Sequence, residues 1–142
     1  MESMKVYLSV PIVGGRNLEL AKAISNVIVE CGNELTSQWV ISEDPGFSAS
    51  PSYVYERDTN GVKTSDIIVA EVSTPSHGVG MEIMLAITLR KRIIALARRD
   101  SQISRMLLGA PNIEWIFYDK VEEMTQKLKE KLEASLPNSS AL

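Results

Sequence analysis

Two rhythms of apolar and polar positions alternate along this chain: short β-branched runs, then longer stretches whose apolar residues recur every three or four positions. Val6 to Val10 is the first short run. After Gly14-Gly15, the residues Leu20, Ile24, Val27, Ile28 and Cys31 mark one face of a helix, and Gly32 suits the position just past its end. Glu34 to Ile41 reads as a second strand. Ser42 to Ser52, rich in Ser, Pro, Gly and acidic residues, reads as a mobile loop or lid. Tyr53 to Lys63 is helical in pattern, with Tyr55, Asp58 and Val62 near one stripe, and Ile67 to Val72 is a buried strand. A helix is predicted from Gly80 to about Arg90, followed by a strand over Ile93 to Ala97, a short helix over Ser101 to Leu108 and a strand over Ile113 to Tyr118. Val121, Met124, Leu128 and Leu132 close the pattern with an amphipathic helix.

Strands alternating with helices imply an α/β fold, since each parallel crossover lays a helix over the sheet. The expectation is one five-stranded parallel sheet of order 2-1-3-4-5, flavodoxin-like or Rossmann-like, with helices on both faces. A single domain is predicted over 1–134 and a disordered tail over 135–142. No internal repeat is visible.

Ligands of such sheets bind beyond the carboxyl ends of the strands, at the switch point between strands 1 and 3. That rule brings the Pro11 to Arg16 loop and the Ser73 to Glu82 loop into one pocket. The second loop, Ser73-Thr74-Pro75-Ser76-His77-Gly78-Val79-Gly80-Met81-Glu82, is the most informative stretch of the chain. Its glycines allow close backbone approach to a ligand, and the helix start offers partial positive charge to an anion. Glu82 is expected in the first helical turn, where the macrodipole favours the ionised form of a carboxylate nucleophile. Glu71, near the end of the third strand, is a rival carboxylate or a brace for the adjacent loop.

Other phosphate motifs are excluded by single residues. Ile83 stands where a dinucleotide fingerprint needs a third glycine, and no Gly-Lys-Ser/Thr follows. A phosphoacceptor receiver would need acidic residues where Val10-Pro11 and Val72-Ser73 stand, and a flavin site would need a Ser/Thr-rich loop over Pro11 to Arg16.

With 142 residues, 44% hydrophobic and 23% charged, the chain is sized for one core. The net charge of −3 argues against a general nucleic-acid binder. Arg90, Lys91, Arg92, Arg98, Arg99 and Arg105 form a locally basic stretch that reads as a solvated face or an attraction for a phosphorylated small molecule. Cys31 is the only cysteine and His77 the only histidine, which rules out an internal disulfide and a multi-histidine zinc site, and no nearby Ser/His/Asp arrangement suggests a hydrolytic triad. His77 itself reads as a surface residue. No apolar run reaches membrane-spanning length and no secretory pattern opens the chain, so the cytoplasm is the expected address.

Taken in order, Tyr7, Ile12-Val13-Gly14-Gly15-Arg16, Glu56-Arg57-Asp58, Asp66-Ile67-Ile68-Val69-Ala70-Glu71-Val72 and Pro75-Ser76-His77-Gly78-Val79-Gly80-Met81-Glu82 resemble the nucleoside 2-deoxyribosyltransferase superfamily. The branch most similar is that of the 2′-deoxynucleoside 5′-monophosphate N-glycosidases, and the resemblance runs from about Lys5 to Asp119. It implies hydrolysis of the N-glycosidic bond by a retaining mechanism, with Glu82 attacking the anomeric carbon, Asp58 supplying the proton to the departing base and Tyr7 beside the sugar and the nucleophile. It implies a nucleotide substrate bound by Pro11, Ile12, Val13, Gly14, Ser76 and Gly78. It also implies a homodimer in which Ser104 reaches the neighbour's phosphate site, and no metal or organic cofactor. Transfer of the deoxyribosyl group to a second base, cleavage of ribonucleotides and a non-catalytic nucleotide sensor stay open. Family phosphohydrolases often carry Gly-Ser-Ile-Arg-Gly-Gly in the first loop, whereas this chain has Val10-Pro11-Ile12-Val13-Gly14-Gly15 and lacks that serine and arginine. Arg16, Arg98 and Arg105 are the candidate replacements.

Overall fold

The computed structural model describes residues 3–134, so the tail predicted over 135–142 lies outside the described residues. Strands β1 (Lys5–Ser9), β2 (Glu34–Leu35), β3 (Ile67–Glu71), β4 (Arg92–Arg98) and β5 (Ile113–Tyr118) form one sheet of order β2-β1-β3-β4-β5, every pair parallel. Helices α1 (Leu18–Glu30) and α5 (Val121–Ala134) pack together over one face, and α2 (Pro51–Lys63) and α3 (His77–Thr88) over the other. The fold is therefore the one the sequence predicts.

Strand alternation divides the core. Val6 and Leu8 of β1 point to the α1/α5 side and join Ile24, Ile28, Val69, Ile94, Met124 and Leu128, while Tyr7 points to the α2/α3 side with Val62, Ile68, Ala86 and Ile93. Both faces of β3 are covered, and all five of its residues are buried, as a central parallel strand requires.

Several boundaries differ from the pattern-based reading, each for a local reason. The second strand is two residues long rather than running from Glu34 to Ile41, and a 3-10 turn follows over Gln38–Ile41. Ser37 ends the ladder. Its buried hydroxyl accepts from the Leu8 amide at 2.8 Å and donates to the Leu8 carbonyl at 2.9 Å, so a side chain satisfies backbone groups that a longer β2 would have paired. Helix α3 begins at His77, not Gly80, because the Ser76 hydroxyl caps the Val79 amide at 3.3 Å. The helix predicted over Ser101 to Leu108 is reduced to α4 (Arg105–Leu108), and Ser104 precedes it without a side-chain capping bond.

The stretch after the 3-10 turn was expected to be a mobile lid, yet it carries its own bracing. Asp44 accepts from the amides of Gly46 (2.9 Å) and Phe47 (2.6 Å) and from the Ser48 hydroxyl (2.6 Å). These bonds hold the Asp44 carboxyl down at about 2. Arg16 donates to the carbonyls of Val40 and Ser42, and Arg57 donates to the Pro45 carbonyl at 2.8 Å. Among the described residues, no helix is long and apolar enough to cross a membrane.

Candidate active site

Three segments converge beyond the carboxyl ends of β1 and β3 on a cleft of about 560 Å³, a volume ordinary for a small-molecule site. The loop after β1 contributes Ile12, Val13 and Gly14; the 3-10 turn and the braced loop after it contribute Trp39, Pro45 and Phe47; the start of α3 contributes Ser76, His77, Gly78 and Glu82. Gly14 and Gly15 have φ of +74° and +137°, conformations that favour glycine, and a Cβ on Gly15 would lie 3.0 Å from the Thr74 methyl. The two glycine-bearing loops thus sit side by side, as the topology predicts.

Glu82 lies in the second turn of α3, on the side that also carries Val79, Ile83 and Ala86 into the core. Its carboxylate is gripped from β1. The Tyr7 hydroxyl donates to Oε2 at 2.6 Å and the Ser9 hydroxyl to Oε1 at 2.5 Å. Tyr7 and Ser9 are two apart on a strand and share a face, which is why one strand can hold both oxygens. The expectation of a dipole-stabilised carboxylate in the first turn does not hold: burial dominates and pushes Glu82 up to about 7, only partly offset by the bonds from Ser9 and Tyr7. Burial, then the nearby Glu82 charge, likewise raises the Tyr7 hydroxyl well above the usual tyrosine range.

Helix α2 closes the other wall. Its inward side carries Val54, Arg57, Asp58, Gly61 and Val62, while Tyr55, predicted on that stripe, is exposed. Arg57 donates through Nε to Asp58 at 2.8 Å, and its guanidinium stacks over the Trp39 ring at 4.2 Å. Tyr7 meets Trp39 edge-on with centroids 6.0 Å apart. Gly61 makes this approach possible: a Cβ there would lie 2.7 Å from the Tyr7 ring.

Of the residues singled out from sequence, Tyr7, Ile12, Val13, Gly14, Asp58, Ser76, Gly78 and Glu82 line the cleft. Pro11 and Ser104 do not. Pro11 is buried and faces a neighbouring pocket of about 340 Å³ on the far side of the loop, because the chain turns over there to present Ile12 and Val13 instead. Ser104 is exposed and lines a separate groove of about 430 Å³ between α3 and the 102–110 segment. His77, read as a plain surface residue, borders both this groove and the cleft. Of the candidate arginines, Arg16 is spent on carbonyls, Arg98 borders the neighbouring pocket and Arg105 lines neither of these pockets nor the cleft. Glu71 is buried and accepts from the Ser73 amide (2.9 Å), the Ser73 hydroxyl (2.7 Å) and the Tyr118 hydroxyl (2.5 Å), which is the loop-bracing role. Ser9, Trp39, Phe47 and Arg57 were missed. Alternation along β1 pointed to Ser9, two residues from Tyr7, but nothing in the sequence brought Trp39 or Phe47 to the cleft.

No protein-family model matches the chain. Among curated proteins it is 35% identical over 140 residues to the protein named 2′-deoxynucleoside 5′-phosphate N-hydrolase 1 of Thermofilum pendens, covering 94% of this chain and 98% of that one. The chain belongs to the 2′-deoxynucleoside 5′-phosphate N-hydrolase family. Hydrolases of N-glycosyl compounds make up this family. A relative from Tetraodon nigroviridis, 34% identical over 77% of this chain and 82% of its own length, is named 5-hydroxymethyl-dUMP N-hydrolase. Among solved structures, the CMP N-glycosidase of Clostridium botulinum has the same fold, with a TM-score of 0.68 at 23% identity over 87% of this chain and 97% of that one. A 2-deoxyribosyltransferase of Bacillus psychrosaccharolyticus has it too, with a TM-score of 0.61 at 17% identity over 85% and 90%.

Proposed function

We propose that this family member hydrolyses the N-glycosidic bond of 2′-deoxynucleoside 5′-monophosphates, releasing the base and 2-deoxyribose 5-phosphate, with Glu82 as nucleophile. The observation that carries this reading is the Glu82 carboxylate at the wall of the cleft, each oxygen held by a hydroxyl of β1. A carboxylate so fixed loses little freedom on reaching the attacking geometry. One oxygen bonds to C1′ as the C1′–N bond breaks and its electron pair leaves with the base. Asp58, across the cleft on α2, delivers the proton that the departing base takes up. Water then attacks C1′ and gives its proton to Asp58, the ester bond to Glu82 breaks with its electron pair returning to the glutamate, and both carboxyl groups are restored.

The 5′-phosphate is held at the start of α3, where the first backbone amides have no intrahelical partner, with Ser76, Gly78 and Gly14 around it. Arg57 and His77 also line the cleft, where the first loop lacks the family's arginine. We assign the enzyme to a homodimer whose Ser104 completes the neighbour's phosphate site. Support comes from Met84 and Met106, 52% and 83% exposed along the Ser104 groove, which opens beside Ser76 and His77. Cytoplasmic residence fits a substrate drawn from the free nucleotide pool.

Incubation with a panel of deoxynucleotides, their nucleosides and ribonucleotides, followed by chromatography of the released base, tests the reading. Glu82→Gln should lower base release by about a thousandfold or more with the fold retained. Full turnover by that variant rejects Glu82 as nucleophile, and nucleotide binding without base release in the unaltered protein favours a sensor.

A further inference from the structure

Ser9 is the last residue of β1, only 1% exposed, and sits on the α2/α3 face of the sheet in register with Ala70. Within the described residues its hydroxyl has Glu82 as its partner. Tyr7 and Glu82 line the cleft and Ser9 does not. Hence Oε1 is anchored from within the protein, whereas Oε2 carries the bond from the residue that borders the cleft.

We propose that Ser9 is a positioning residue for Glu82, holding Oε1 through the whole cycle so that Oε2 is the oxygen that bonds to C1′. This assignment rests on the glycosidase reading above. As the Oε2–C1′ bond forms, the C1′–N bond breaks and its electron pair goes to the base; Oε1 becomes the ester carbonyl and still accepts from Ser9. When water bonds to C1′ and gives up a proton, the Oε2–C1′ pair returns to the carboxylate, and Ser9 meets it with a charge-assisted bond. Ser9 therefore favours the carboxylate over both its protonated and its esterified forms.

The groups around Glu82 are Tyr7 on β1, Arg57 and Asp58 on α2, and His77 at the start of its own helix, all bordering the same cleft. Among the described residues, only Tyr7 and Ser9 touch the carboxylate by hydrogen bonds. Burial raises Glu82 to about 7 and the Ser9 bond is the largest influence pulling it back.

The test has an arm that needs no substrate. In full-length protein labelled at the glutamate side-chain carboxyl carbon, the Glu82 resonance, assigned through Glu82→Gln, should titrate about one pH unit higher in Ser9→Ala than in the unaltered protein. The shift should be largely reversed in Ser9→Thr, which keeps the hydroxyl. An unmoved titration in Ser9→Ala, with melting temperature unchanged, overturns the positioning of Glu82 by Ser9. In the second arm, base release by Ser9→Ala should fall about tenfold more at pH 6 than at pH 8.5, and a burst of base should precede a slower steady state as the ester accumulates. A shifted titration with an unaltered pH profile and no burst overturns the catalytic part. Base release retained by Glu82→Gln rejects Glu82 as nucleophile, and absence of base release by the unaltered protein defeats the glycosidase reading; either result leaves the titration arm standing by itself.

Discussion

At the scale of single residues, Glu82 is a contest between the helix dipole and desolvation. Position in a sequence suggested the dipole. The extra turn of α3 capped by Ser76 moves Glu82 inward, away from the helix end where the dipole acts, and burial prevails. Two consequences follow from a carboxyl at about 7 in the folded chain against an ordinary 4.5. With Glu82 as the proposed nucleophile, base release needs the ionised form and should climb with pH through neutrality, levelling off about one unit above it; a rate that is flat from pH 5.5 to 8.5 contradicts this. Stability behaves oppositely. The folded state retains a proton that the unfolded chain has released, so the contribution of Glu82 is fully present below pH 4.5 and is lost as pH rises through about 7, by about 3 kcal/mol at most. Glu82→Gln should therefore melt higher than the unaltered protein at pH 8 and near it at pH 4.5. Thermal unfolding at the two pH values checks the difference.

At the scale of elements, α2 is the piece whose placement decides the cleft. Proline at its first position and the Ser50 cap set its start, and Arg57 ties it to both Trp39 and the Pro45 carbonyl. Its contact with β1 runs through Gly61 against the Tyr7 ring, closer than any Cβ allows. Helix propensity alone makes Gly61→Ala a gain of about 1 kcal/mol. Packing reverses it: Ala should cost about 1–3 kcal/mol, and by pushing Tyr7 away from Glu82 it should lower base release at least tenfold. A variant that is more stable and fully active would show that α2 simply slides to make room. The brevity of β2 matters for the same cleft, since the chain that leaves the ladder at Ser37 is free to carry Trp39 and Phe47 to its wall.

At the scale of the whole molecule, the half-exposed Met84 and the exposed Met106 flank a groove that shares Ser76 and His77 with the cleft, the end proposed to take the phosphate. Met106→Asp should halve the mass found by light scattering and weaken nucleotide binding, whereas Ser104→Ala should weaken binding with the dimer intact; a monomeric unaltered protein refutes both. The sequence by itself determined the strand order, the pairing of the two glycine-bearing loops and the candidacy of Glu82, because periodicity, glycine and topology rules act over short range or follow from connectivity; Asp58 and Tyr7 became candidates through the family resemblance. It misjudged the length of β2 and the state of Glu82, and Pro11 faces the neighbouring pocket rather than the cleft. Only the tertiary structure decided that Ser9 bonds to Glu82, that Arg57 braces the expected lid and that Glu82 is desolvated. Those outcomes depend on which side chains from distant segments meet in three dimensions, where burial and a hydroxyl of β1 outweigh what the local helix would impose.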